Sequence, residues 1–445
     1  MRRVTAGLTI PDVARLVARY AARLHQRVHG HHVASPLGAW LLLALAADTA
    51  VQAATDEAPL DERLRAAVEE VLGCDAPGAG AAARQLLTVT PAAVAASVAA
   101  WTDASDVTPA LQAAFSTWPV GAATGPLPTQ DAADAWADEA TDGLIRSFPL
   151  TVQDDTSLLV ASALATRISW EDPFGPDMPM PASGPWAELG VPLMRASEEH
   201  DVRLWTSPLG LLASHRACGA GLSVLSVLAV DQDVPAAALL EYAHHLSAAG
   251  AAAALAGYGT SVPVDGGLAE ADADLVFALP LGEHNLLTVT ETEVATSTDG
   301  EQQVACIAAL PAWRATTRLS LDALPGLGDG ARLLGSRLRS WQQQGPGQVD
   351  AAQAAVAAFD RYGFEAAAVT AMAMIASGTF PSEVGLRRQV DIHFGRPFVI
   401  VAAVENVSRQ QHKSRHQPVA GAWHGLPVFS AAVAEPVSPQ PLQDS

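Results

Sequence analysis

Residues Glu365 to Ala373, Glu-Ala-Ala-Ala-Val-Thr-Ala-Met-Ala, constrain this chain more than any other stretch. After Glu365 the run is uncharged, small and free of Pro and Gly. It lies between an Ala-rich apolar segment, Val349 to Phe359, and a β-rich one, Gly-Arg-Pro-Phe-Val-Ile-Val at 395–401. A plain connector is normally punctuated by Gly, Pro, Asn or Asp. This one is written like a strand or helix kept in reserve. With period two, Phe364, Ala366, Ala368, Thr370, Met372 and Met374 share one face, and Glu365, Ala367, Val369, Ala371 and Ala373 the other. Small residues on the would-be inner face suit a strand that slides between two others. The same composition also writes the end of an Ala-rich helix.

Bulk properties narrow the partners. The chain has 445 residues, 49% of them apolar, which is ample for a core. Its net charge of −21 argues against nucleic acid or an anionic membrane, since like charges repel. Lys413 is the single lysine, so a P-loop and a Ser-x-x-Lys site are absent from the sequence. Cys74, Cys218 and Cys306 are odd in number and far apart; they imply buried, reduced thiols rather than a disulfide framework or a zinc motif. Before Pro11 there is no apolar run of signal-peptide length, and Ala39 to Ala47 is too short to span a bilayer. A cytoplasmic monomer is expected.

Motifs in a fixed order add to this. Gln353 to Thr370, through Phe-Asp-Arg-Tyr-Gly-Phe-Glu-Ala-Ala-Ala-Val-Thr, resembles the fifth strand of the main sheet and the reactive-loop hinge of a serpin. Phe394 to Val401 resembles the strand that follows that loop. Ser35-Pro36-Leu37, Ala133 to Ile145, Ala163 to Phe174 and Leu426 to Pro436 are similar to further serpin segments and stand in the family's order. The resemblance covers roughly residues 10 to 437, thinly between 180 and 300, and is to a divergent, prokaryote-like member. It implies an α+β fold with a large central sheet, two smaller sheets, about nine helices and an exposed reactive loop at about 363–390. Residues 1–437 would form one domain, with a disordered tail at 438–445.

The function implied is inhibition of a serine protease, or a cysteine protease, by suicide-substrate trapping. The protease cleaves the loop, and the loop then enters the central sheet as a new strand. Such a protein has no catalytic residues of its own, no metal and no cofactor. The hinge would be Gly363, Phe364, Glu365, Ala366, Ala367, Ala368 and Thr370. Trp170 would stand at the breach, where the sheet first parts, and Ser35, Ser162 and Gln353 at the shutter beneath it. Counting from Gly363 puts the scissile bond at Ser377–Gly378; counting back from Pro397 puts it near Leu386–Arg387, with Arg388 adjacent. Arginines there would suit a trypsin-like protease.

Several positions depart from the inhibitory pattern. Phe364 stands where inhibitory members carry a small Thr or Ser, and forcing an aromatic into a packed sheet costs about 1–3 kcal/mol. That cost would fall if a cavity lined by Ser162 and Gly38 received the ring. Arg361 replaces an acid, Gln353 a His, Ser162 an Asn and Gly38 a Ser. These departures leave open a second reading, a non-inhibitory serpin-fold protein with a binding or scaffolding role.

Three other features require a reading. His25, His29, His31 and His32 invite a metal site, but no carboxylate or Cys lies close and Gly30 breaks the helix that would align them. Asp56 to Ala99 reads as helices interrupted at Pro59 and at Gly73 to Gly80, with Gly78-Ala79-Gly80 a turn between them. Residues 408–425, polar and basic with His412, His416 and His424, read as a surface insertion.

Overall fold

A computed structural model describes residues 10–153, 156–181, 184–256, 263–296, 301–320, 323–344, 348–364, 383–405, 407–410 and 417–438. The molecule is α+β. Its described residues form three large sheets, a small hairpin and ten α-helices. Helix Pro36–Gln52 is the pillar of the core. It is apolar almost all round and buried from Pro36 to Ala50, as a helix enclosed on every side must be. Ser35 caps it by accepting a hydrogen bond from the Gly38 amide.

The eight-stranded central sheet has the spatial order Pro436–Val437, Ala312–Ser320, Gln348–Phe359, Thr156–Thr166, Val94–Thr102 and Ala123–Gly125. Two short strands, Ile168–Ser169 and Gly363–Phe364, lie at one end. Val94–Thr102 corrects the helical reading of that region. Its apolar residues face the helical core on one side, and Ala99 and Trp101 meet helix Gln130–Ala140 on the other. The 348–359 strand is largely alanine, a residue with low β-preference; pairing of its residues 352–359 with the Ala312–Ser320 strand overrides that preference.

A seven-stranded sheet has at its centre Phe398–Val404 between Pro427–Val433 and Leu222–Ala229. All three strands are buried throughout, because helix Ala236–Ala256 covers one face and the main core the other. A six-stranded sheet sets Glu383–His393 between Leu287–Thr296 and Gln302–Leu310.

Local corrections follow from packing. Gly78-Ala79-Gly80 lies inside helix Ala76–Thr88, where a side chain at residue 80 would collide with Asp48. The expected insertion shrinks at its C-terminal end. Val407–Gln410 and Gln417–Ala420 pair as a hairpin, but Trp423 and His424 are buried against the body, bonded to the Leu86 and Ala251 carbonyls. Residues 411–416 lie outside the described residues, as do 439–445 of the tail. The three thiols are free and half-buried rather than buried.

Candidate functional site

The central sheet is zipped at one end and parted at the other. The parallel ladder between the 348–359 and 156–166 strands runs from Gln348–Thr156 to Ala352–Ala161 and ends there. At the far end Gly363–Phe364 enters the gap, antiparallel to both neighbours: Phe364 opposes Phe359 on one side and Ile168 on the other, and Gly363 opposes Ser169. Opposed residues share a face, so Phe364 points into the core. It is 2% exposed, with the rings of Trp313 and Phe429 6.2 and 6.5 Å away.

Phe364 is therefore not an obstacle waiting to be buried. It is already seated, and the space that takes it is bounded by Phe359, Trp313 and Phe429. Ser162, further along strand Thr156–Thr166, and Gly38, on helix Pro36–Gln52, do not line it. Glu365, Ala366, Ala367, Ala368 and Thr370 lie outside the described residues, and so do Ser377 and Gly378.

The turn that delivers the hinge is fixed by its own residues. The Asp360 carboxylate accepts hydrogen bonds from the Tyr362 and Gly363 amides at 2.8 and 3.1 Å, and the Asp360 amide donates to the Gly363 carbonyl at 3.0 Å. An Asp followed by Gly three residues on is the local signal for such a turn. Trp170 clamps it from the side: its indole N–H donates to the Asp360 carbonyl at 2.9 Å and its amide to the Tyr362 carbonyl at 3.0 Å. These contacts tie Trp170, the residue expected at the breach, to the 360–363 turn.

Arg361 clamps the same turn from below. It is 1% exposed, pairs with Asp177, and donates to the Gly175 and Phe174 carbonyls, while the Phe174 amide donates back to the Arg361 carbonyl at 3.0 Å. The sequence marks Arg361 as a departure from the family but does not point to Asp177, which lies 184 residues away.

Ser35, Ser162 and Gln353, the residues expected at the shutter, converge near the point where the ladder ends. The Ser35 amide donates to Gln353 Oε1 at 3.0 Å, and Gln353 Nε2 donates to the Ser35 carbonyl at 2.8 Å. Ser35 Oγ donates to the Val428 carbonyl at 2.9 Å. A methyl on Gly38 would stand 3.1 Å from Ser35 Oγ, 3.2 Å from Ser162 Oγ and 3.4 Å from Gln353 Nε2. The glycine leaves room for these three side chains.

Leu386, Arg387 and Arg388 are not in a loop. All three belong to strand Glu383–His393, hydrogen-bonded on both sides, with Arg388 opposite Glu291 and Val304. Arg388 is 7% exposed; it pairs with Glu291 at 2.7 Å, donates to the Leu279 carbonyl and stacks on Phe277. A protease requires an extended, free segment. Leu386–Arg387, expected as a scissile bond, is instead held in a strand paired on both sides.

The N-terminal histidines serve packing. His25 Nδ1 and His32 Nε2 are 2.9 Å apart, His25 Nε2 lies 2.6 Å from Ser430 Oγ, and His31 bonds the Arg314 carbonyl. Burial holds His25 well below the usual imidazole pKa, so it is neutral. A second histidine pair has no local sequence signal: His200 Nδ1 and His215 Nε2 are 3.0 Å apart beside Phe174.

A body of three sheets whose central sheet is parted at one end around a two-residue hinge strand is the serpin architecture. The chain is a serpin-fold protein. It superposes on Serpin48 of the insect Tenebrio molitor, a highly specific serpin, with a TM-score of 0.57 and 15% identity, covering 95% of this chain and 97% of that one. It also superposes on the thermophilic serpin Tengpin in its native state, with a TM-score of 0.58 and 13% identity over 94% and 93% of the two chains. Thyroxine-binding globulin, in complex with thyroxine, gives a TM-score of 0.56 and 13% identity over 96% and 99%. No family model matches the sequence, and neither does any curated protein.

Proposed function

We propose that this protein inhibits a serine protease, or a cysteine protease, by suicide-substrate trapping. The observation that carries the reading is the register of the hinge. Phe364 opposes Phe359 and Ile168, which are 191 positions apart, and the parallel ladder below, Ala352 with Ala161, has the same offset of 191. A strand continuing from Phe364 would therefore meet both walls in one register. It would set Ala366 opposite Ala357 and Thr166, Ala368 opposite Ala355 and Leu164, and Thr370 opposite Gln353 and Ser162. These are small residues on the inner face, with a hydroxyl where the shutter is polar. With Leu386–Arg387 held in a strand, Ser377–Gly378 is the remaining candidate bond, which would suit an elastase- or subtilisin-like protease.

The test is incubation with a panel of serine proteases, resolved on a denaturing gel. A covalent complex that survives SDS supports trapping; clean cleavage of the loop with no complex rejects it. A nick within 375–382 should also raise the melting temperature, because an added strand buries apolar area at about 25 cal/mol per Å². An unchanged melting temperature would mean that the loop stays outside the sheet.

One observation favours the second reading, a non-inhibitory binding or scaffolding protein. The buried Arg361 clamp and the seated Phe364 ring anchor the hinge on both sides. Were that anchor to slow insertion below deacylation, the protein would behave as a substrate, and the panel would show cleavage alone.

A further inference from the structure

Behind the breach lies a pair of histidines that the inhibitory reading does not use. His215, on strand Gly210–Gly219, is fully buried; His200, in the turn before strand Asp201–Ser207, is half-buried. The hydrogen bonds fix their tautomers. His200 Nε2 lies 2.7 Å from the Asp172 carbonyl, an acceptor, so this nitrogen carries the proton. His200 Nδ1 is then a lone pair and accepts from His215 Nε2–H at 3.0 Å. His215 Nδ1 is left as a bare lone pair, buried and without a hydrogen-bond partner among the described residues. Both rings are neutral.

Phe174 couples this pair to the hinge. Its ring lies 4.8 Å from His200, 5.3 Å from His215, 6.2 Å from Trp170 and 5.4 Å from Phe359, the residue that pairs with Phe364. Its backbone bonds Arg361 in both directions. The charged groups near the pair are few. Burial lowers the His200 pKa below the ordinary value, Asp172 on the 171–174 segment opposes that shift in part, and Glu171 beside it is exposed. The turn at 198–199 carries two exposed glutamates. From the hinge turn comes Arg361, already paired to Asp177. Asp201 and Arg216 oppose each other one residue along the ladder from His215, so they occupy the other face of the sheet. Strand Leu222–Ala229 contributes neutral Ser226, directly opposite His215.

The geometry points to a pH-sensitive latch at the breach, in which proton uptake by His200 breaks the His200–His215 bond and releases the hinge. The proton comes from solvent and binds Nδ1, the one nitrogen of the half-exposed ring that carries no hydrogen. His200 Nδ1–H then faces His215 Nε2–H, donor against donor, and the bond cannot persist. Full burial keeps His215 neutral, and moving its proton to Nδ1 would strand a buried N–H with no acceptor among the described residues. One ring must turn, and Phe174, packed against both, moves with it. The latch concerns the breach alone and operates whichever reading of the function above is true.

Hydrogen–deuterium exchange of the full chain tests this, at about pH 7.5 and about pH 5.5, with rates corrected for the chemical pH dependence. Backbone amides at 357–364 should gain exchange by about tenfold more than those at 94–102 of the same sheet. His200→Gln should abolish that gain, since a glutamine amide donates to Asp172 and accepts from His215 but takes up no proton. His215→Phe should also abolish it, because the opposing donor is removed. It supplies the decision should His200→Gln prove unfolded by its melting curve. Equal gains at 357–364 and 94–102 in the wild type would overturn the latch, as would a wild-type response in either folded variant.

Discussion

Phe364 shows how one residue changes meaning between sequence and structure. In the sequence it is a bulky ring at the mouth of a loop. In the folded chain it fills the breach opposite Phe359 and Ile168, so Phe364→Ala should open a cavity and destabilise the native protein by about 3–5 kcal/mol in urea unfolding. A change below 1 kcal/mol would mean that the ring is not packed as described. Arg361 is the polar counterpart. Arg361→Met keeps the bulk of the side chain but strands the Gly175 carbonyl and frees the turn, which should cost about 1–3 kcal/mol. The same variant should raise the yield of covalent complex if the clamp slows insertion; an unchanged yield would assign Arg361 to stability alone. Arg361 was legible as unusual, whereas Asp177, which explains it, was not, because the two meet only across folded segments.

At the scale of elements, backbone pairing decides more than side-chain type. Arg387 and Arg388 look like protease bait in the sequence, yet they stand in a strand with neighbours on both sides. The polar stretch 408–425 divides in a similar way. Replacing residues 409–418 by a short Gly-Ser turn should leave stability within about 1 kcal/mol, since loop closure depends weakly on length. Trp423→Ala should cost about 3–5 kcal/mol, because the indole is buried and donates to the Leu86 carbonyl at 3.1 Å. Denaturant midpoints for the two variants would separate hairpin from core. If they moved together, the boundary drawn between them at 420 would be wrong.

Across the whole molecule, several neutral histidines make the fold sensitive to acid. Burial holds His25 and His215 well below the ordinary value, and lowers His244 to about 4. The unfolded chain takes up these protons near pH 6.5 while the folded chain refuses them, so stability is full above that value and falls as pH drops. Each group should remove roughly 1 kcal/mol per pH unit down to its folded pKa. Urea midpoints measured from neutral pH to about pH 4.5 should decline steadily; a flat profile would contradict the burial of these rings. His25→Gln should flatten part of the slope while leaving the local response at the breach intact.

The sequence by itself determined the order of the motifs, and with it the α+β class and the serpin resemblance, because strand and hinge segments carry their signal in contiguous residues. The Ser35 cap and the strand at 398–404 are legible for the same reason: a cap needs one hydroxyl, and a doubly buried strand needs one apolar run. Tertiary structure alone decided where the ladder of the central sheet ends, that Phe364 is already inside it, and that Arg388 is locked beside Glu291. It alone brought His200 to His215 and Arg361 to Asp177. Those contacts join residues that are distant along the chain. Their energies come from exclusion of water and from hydrogen-bond geometry, which exist only once the sheets have closed around them.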